Sequence, residues 1–356
     1  MMEEEFVRRR EWLTHEEFVD MIGAAALVPG PNSTEVAIHL GLKRAGIPGM
    51  VVAGVCFILP AALIVSALAW AYVKYGSRPD FQSALYGIKP VVIAVVAQAI
   101  ALLVGKVLDT WTKRIALVAS GLLAWFSVSE VLILLASGLT LGAIRLHRTR
   151  DWRSAVPVLL LLAGVASIAA VPLLWEVSIT VARPDATVIF LYFLKVGSVL
   201  YGSGYVLLSF LDRDLVGHWQ WLAKGQLLDA VAIGQFTPGP VFTTATFIGF
   251  LLQGPIGAVA ATVGIFLPSF LFVALAGRFL PKLRASSVSA GFLDGVNAAA
   301  LALMAVVLAK LASDATIDLP SACIALLSIA LLLRFRVNSA WLIAAGGLAG
   351  LILRKN

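Results

Sequence analysis

Charge is scarce in this chain. Only 13% of its 356 residues are Asp, Glu, Lys or Arg, and 60% are hydrophobic. A soluble domain carries about a quarter charged and about half apolar residues. The mean hydropathy of +0.95 comes from apolar sequence spread along the whole length, which excludes an ordinary soluble core and implies a lipid-embedded helical bundle. Cysteine is almost missing. Cys56 and Cys323 each lie inside an apolar segment, with no CxxC and no Cys/His cluster, so neither a disulfide framework nor a zinc site is expected. The four histidines are scattered, and nothing calls for a metal or a cofactor. The amino terminus, MMEEEFVRRREWLTHEEF, lacks the apolar core of a signal peptide, so a multi-pass protein of a bacterial inner membrane is expected. The net charge of +7 sits in short clusters between apolar segments. That is the pattern of loops facing anionic lipid, not of a nucleic-acid surface.

Apolar stretches at 49–73, 84–105, 155–181, 187–210, 255–279 and 288–311 are each long enough to cross a hydrocarbon core of about 30 Å. Shorter ones at 115–127, 129–146, 319–334 and 339–353 read as tight pairs. Two further apolar segments, 16–42 and 226–252, are interrupted by Pro29-Gly30-Pro31 and Pro238-Gly239-Pro240. Prolines remove backbone donors and forbid a continuous helix. At membrane depth such a break survives only inside protein or beside a wet cavity.

The chain repeats itself. At an offset of 209, Trp12 meets Trp221, Asp20 meets Asp229, the two Pro-Gly-Pro runs coincide and Thr34 meets Thr243. One residue is then lost. At 208, Gly41 meets Gly249, Gly46 meets Gly254, Pro60 meets Pro268 and Gly87 meets Gly295. Matched glycine and proline spacing marks a duplication. The expected division is a first copy at 1–153, a linking segment at 154–184 and a second copy at 185–356. The second copy opens with an apolar helix near 190–210 whose counterpart would fall before residue 1, so the first copy reads as truncated, by nature or by a misplaced start. Arg8, Arg9 and Arg10 mark one cytoplasmic loop, and Arg145, Arg148, Arg150 and Arg153 another. The equivalent of the former, LDRDLVGHWQW, holds a single arginine, which suggests inverted copies. Inversion is expected if each broken segment crosses once, with 155–181 supplying the odd crossing; re-entrant hairpins would make the copies parallel.

A helix restarts after each break, as NSTEVAIHLG and as VFTTATFIG. Helix starts carry unsatisfied N–H groups and partial positive charge, which suits an anion. Two starts related by symmetry would form an oxyanion cradle at the midplane. Asn32, Ser33, Thr34, Thr243 and Thr244 add neutral donors, with Thr237 and Gln235 in support. The spacing of Asn32 and Glu35 also fits an N-x-x-E capping box; the alternative role for Glu35 is a proton-coupling carboxylate, since intramembrane acids are costly and often functional. Asp20 and Asp229 are either helix-start polarity or part of the same proton path. Lys89 and Lys195 lie within apolar runs and either face the cavity or snorkel. Lys43 and Arg44 read as loop charges. Gly202-Ser203-Gly204 is G-S-G rather than G-x-S-x-G and has no histidine–acid partner, so it signals close helix packing, not a hydrolase.

The stretches EFVDMIGAAALVPGPNSTEVAIHLGLKRAGIPGMVVAGVCFILPAALI and FLKVGSVLYGSGYVLLSFLDRDLV, with LLDAVAIGQFTPGPVFTTATFIGF, resemble the chromate transporter family in its long, two-domain form. The resemblance implies an all-α polytopic membrane protein that is not an enzyme, and that exports chromate coupled to the proton gradient as an anion antiporter. Sulfate or a related oxyanion is the alternative cargo, and a non-transporting membrane subunit the alternative of another class. By resemblance, Pro29, Gly30, Pro31, Asn32, Ser33, Thr34 and Glu35 fall on the first-half motif. Pro238, Gly239 and Pro240 fall on the second, and Gly202 and Ser203 on its leading helix. Expected partners are chromate or sulfate, protons, membrane lipid and a second copy in a homodimer. The departure from the family pattern is the missing first helix of the amino-terminal half.

Overall fold

A computed structural model describes residues 2–25, 29–126, 128–149, 184–200, 204–237, 239–276, 286–335 and 337–354. Among them every regular element is helical. A π-helical turn, α1 (Glu4–Arg9), precedes α2 (His15–Ala25) and α3 (Asn32–Tyr75). Then come α4 (Pro79–Val107), α5 (Trp111–Trp125) and α6 (Glu130–Thr149). The second half begins with α7 (Ala186–Val199) and α8 (204–218), the latter ending in π turns at Leu211–His218. It continues with α9 (Lys224–Phe236), α10 (Thr244–Ala276), α11 (Ser287–Ala315), α12 (Leu319–Phe335) and α13 (Ser339–Leu353). Five of the described helical stretches are long and apolar enough to cross a membrane.

The duplication is written into the backbone. Ala45 and Gly46 leave helical geometry at φ/ψ of −145/27° and 62/−151°; Gln253 and Gly254 do so at −145/30° and 61/−150°. These are the positions matched at an offset of 208. The second residue of each pair sits where only glycine is comfortable. Each bend folds a short arm (32–44 or 244–252) back on a long arm (47–75 or 255–276). Gly41 and Gly49 meet so closely that a Cβ on either would strike the other's carbonyl, and Gly249 and Gly257 repeat that contact.

The broken segments do not cross the membrane. Lys43, at the end of the short arm of α3, bonds Glu17 at the start of α2 at 2.6 Å, and Arg44 lies over the Trp12 ring. Thus α2 and the short arm form a re-entrant hairpin with Pro29-Gly30-Pro31 at its tip. The stretch 187–210 also fails to span as one helix. The Tyr192 hydroxyl donates to the Phe210 carbonyl at 3.2 Å, whereas 18 residues of continuous helix would separate them by about 27 Å. So α7 and α8 double back too.

The copies are nevertheless inverted. Lys113, just past the end of α4, and Arg145, near the end of α6, both pair with Asp294 near the start of α11, at 2.8 and 3.2 Å. At the equivalent place in the other copy, Tyr86, near the start of α4, donates to Asp318, past the end of α11. Arg354, at the end of α13, covers the Tyr86 ring. Helices α4 and α11, equivalent under the repeat, therefore run in opposite directions. Re-entrant segments and inversion coexist because 187–210 doubles back instead of adding a crossing. The linking stretch 155–181 lies outside the described residues. The face with Lys113 and Arg145 also carries Arg8 to Arg10, Lys43 and Arg44, since the long arm of α3 leaves it and α4 returns to it; Arg150 and Arg153 lie outside the described residues.

The copies interlock. Helix α4 packs against α12 and α13, and α11 against α5 and α6; each expected tight pair thus clasps the long helix of the other copy. Gly87 approaches the Gly346 carbonyl as Gly295 approaches that of Ser137. The main core joins α3 through α11 around Phe193, Phe210, Phe247 and Phe292. Outside it, Ile47, Val52, Leu59 and Leu63 on α3, and Ile256, Val259 and Val263 on α10, are exposed. Such an uncharged aliphatic surface suits hydrocarbon.

Candidate functional site

Each re-entrant tip rests against the long arm of the opposite copy. The Gly30 N–H donates to the Leu200 carbonyl at the end of α7, at 2.7 Å. With φ at +140°, Gly30 occupies a conformation open to glycine. A Cβ there would collide with the Glu35 carboxylate and the Ser269 hydroxyl. At the other tip, a Cβ on Gly239 would collide with Ala61. Ala61 and Ser269 are equivalent positions, each following a matched proline, Pro60 or Pro268.

The capping box is not formed. Pro31 occupies the N-cap of α3 and no side chain caps the helix. Asn32 and Ser33 are exposed, whereas Thr34 and Glu35 are 0% exposed. Glu35 turns inward against Gly30, and both its oxygens lack a hydrogen-bond partner, as do Thr34 Oγ1 and Ser269 Oγ. A fixed polar cluster normally satisfies its members. Four such atoms gather at the first tip, two of them the Glu35 carboxylate, and a buried intramembrane acid is often functional. One turn on, His39 Nδ1 lies 3.2 Å from the Glu35 carbonyl, while Nε2 has no partner.

The second tip is better satisfied. Thr243 Oγ1 donates to the Pro240 carbonyl at 2.9 Å and Thr237 Oγ1 to that of Gly234 at 3.0 Å. The Tyr205 hydroxyl donates to Gln235 Oε1 at 3.0 Å. Among the described residues of this tip, Thr244 Oγ1 and Gln235 Nε2 remain buried without partners. Thr244 occupies the position of Glu35 in the repeat. Val241 and Phe242 pack against Gly204, where the first tip offers Asn32 and Ser33. Gly202, Ser203 and Pro238 lie outside the described residues, as does the side chain of Asp20.

Lys89 stands apart from the tips. Its Nζ pairs with Asp229 Oδ1 at 3.3 Å, and the Tyr72 hydroxyl donates to Asp229 Oδ2 at 2.9 Å. Lys89 also approaches Gly225, in the first turn of α9, so its charge is engaged near the base of the second hairpin. Lys195, 8% exposed, lines a separate cavity. Sequence reasoning missed Ser269, although the repeat singles it out as the polar residue opposite Ala61. It also missed the Tyr72–Asp229–Lys89 triad, which joins residues of three segments.

Inverted repeats whose re-entrant half-helices rest against the opposite copy are an architecture of membrane transporters. A family profile described as chromate transporter matches residues 1–143 and 187–351, and the chain belongs to that family, one of transporters rather than enzymes. It is 34% identical to the chromate transport protein of Cupriavidus metallidurans, over 99% of this chain and 86% of that protein. It is 32% identical to the chromate transport protein of Pseudomonas aeruginosa, over 100% and 87%. A probable chromate transport protein of Synechococcus elongatus is 29% identical over 92% and 82%. No solved structure matches the chain.

Proposed function

We propose that this chain exports chromate across a bacterial inner membrane by proton-coupled alternating access. The observation that carries the proposal is the Glu35 carboxylate, fully buried at the first tip with no partner on either oxygen. An anion held by neutral donors can leave again, which a transporter requires. Asn32, Ser33, Thr34 and Ser269 at the first tip, with Thr244 at the second, supply such donors; Thr243, expected among them, has already given its hydroxyl hydrogen to the Pro240 carbonyl. The helix starts after Pro29-Gly30-Pro31 and Pro238-Gly239-Pro240 add N–H groups and dipole. Glu35 takes the proton that opposes the anion, with Asp20 as a second proton carrier. The face bearing Arg8 to Arg10 and Arg145 is cytoplasmic by the excess of basic residues. The repeats divide at 1–153 and 185–356, and the relatives named for chromate support that cargo over sulfate.

In everted vesicles, chromate uptake is expected to follow an imposed proton gradient and to be competed by sulfate. Gradient-independent movement would remove the proton coupling. No movement of either anion by correctly inserted protein would reduce the chain to a non-transporting subunit.

A further inference from the structure

Between α6, α7 and α8 the face opposite Lys113 and Arg145 holds a cavity of about 790 Å³ that the tips do not use. Its lining includes Glu130, Lys195, Arg213, Asp214, His218 and Trp219. The π turns at the end of α8 put Arg213, Asp214 and His218 on this wall; π-helical turns concentrate at functional sites because they re-aim side chains. Arg213 Nη1 donates to Glu130 Oε2 at 2.6 Å. That pair crosses between the copies, and its arginine side chain is 36% exposed against 11% for the glutamate. Lys195 lies five residues before Leu200, whose carbonyl holds Gly30 at the first tip. The cavity thus reaches from Arg213 to Lys195, on the same helix whose end holds the tip.

We infer that this cavity is an anion-binding vestibule in which an oxyanion displaces Glu130 from Arg213 on its way to or from the tips. The inference rests on the transporter reading above. A guanidinium presents a planar fork that fits carboxylate and tetrahedral oxyanion alike, so the incoming anion exchanges with Glu130 rather than meeting an empty cation. Lys195 and Arg213 bring two positive charges, and Glu130 and Asp214 two negative ones, so the vestibule is balanced at rest. The resident carboxylate then returns to Arg213 and speeds release. The first copy has no such device. The equivalent of Arg213 is Glu4, which pairs with Arg8 at 3.4 Å, and the equivalent of Glu130 is Asn338, which caps the Ala340 N–H. The vestibule therefore belongs to one face of the membrane only.

Trp219 in the wall provides the readout. Chromate absorbs where tryptophan emits, so binding in the vestibule quenches Trp219 in full-length protein in nanodiscs, and the Trp219→Phe difference isolates that signal. Sulfate serves as a silent competitor. The expected results are opposite in sign: Arg213→Gln weakens quenching about tenfold, and Glu130→Gln tightens it about threefold, as loss of a charged hydrogen bond and loss of a competitor should. Arg213→Lys, which keeps the charge and the fold but loses the fork, falls between wild type and Arg213→Gln. Absence of Trp219-specific quenching in wild type would overturn the inference. So would Glu130→Gln weakening binding in step with Arg213→Gln, since the pair would then be a structural latch. Glu35→Gln separates the two levels: it should cut gradient-driven transport at least tenfold yet leave Trp219-reported binding within about twofold.

Discussion

At the first tip Gly30 lies against Glu35 and Ser269; at the second, Gly239 lies against Ala61. The backbone is duplicated, down to bends at Ala45-Gly46 and Gln253-Gly254 that agree within 3° in every torsion. The side chains are not. Polar groups without partners gather on the first tip, while the second has bonded most of its hydroxyls internally. Symmetry supplies the backbone, and divergence within it gathers the unsatisfied polar groups on one hairpin.

The largest effect should separate Glu35 from its equivalent. Glu35→Gln is expected to reduce gradient-driven chromate movement in vesicles at least tenfold, and Thr244→Val about threefold, the scale of one neutral hydrogen bond. Equal losses would make the tips functionally alike. Next in size is the buried pair of the second hairpin. Asp229→Asn leaves Lys89 without its carboxylate and should lower stability by about 3 kcal/mol, with Lys89→Met restoring much of it; thermal unfolding of the detergent-solubilised variants measures both. No rescue would mean that Tyr72 rather than Lys89 is the partner that matters.

Glycine substitutions probe the same contrast in packing. Gly239→Ala should cost about 1–3 kcal/mol, and Ala61→Gly should relieve it by vacating the colliding methyl. Gly30→Ala should cost as much, yet Ser269→Gly should not restore it, because the positive φ and the Glu35 collision remain. Rescue in both cases would show that only space, not backbone conformation, distinguishes the tips. The smallest effect concerns the connecting loops. Hydrogen bonds from Lys113 hold the Asp109 carboxyl below the usual carboxylate range, and those from Ser321 and Tyr86 do the same for Asp318. A lowered value in the folded state means stability that is present above the unfolded value and lost as pH falls through the folded one. Asp109→Asn and Asp318→Asn should each flatten the acid limb of stability against pH slightly; an unchanged limb for either would remove that loop from the titration.

Much of the fold was legible because glycine and proline report local backbone demands. Gly46 and Gly254 match because a positive φ is needed there, and the two Pro-Gly-Pro runs match because both helices must stop. What was illegible depended on contacts distant in sequence. An interrupted apolar segment reads the same whether it crosses or returns, and only the Lys43–Glu17 and Tyr192–Phe210 contacts show that it returns. The capping box failed for a local reason: Pro31 takes the N-cap, so Glu35 is released to face Gly30. Lys89 looked available because sequence does not show that Asp229 and Tyr72, far along the chain, converge on one point.

The clasp of each long helix by the terminal pair of the other copy has a consequence for biogenesis. Helix α4 leaves the ribosome well before α12 and α13, which cover it, and must wait in lipid with its glycine seam at Gly87 open. Helix α11, by contrast, emerges to find α5 and α6 already in place. The first copy thus matures last, and neither half, made alone, could complete its own packing. If the ancestor was a single repeat, it had to assemble as a pair, and fusion into one chain turned an encounter between molecules into a step within one.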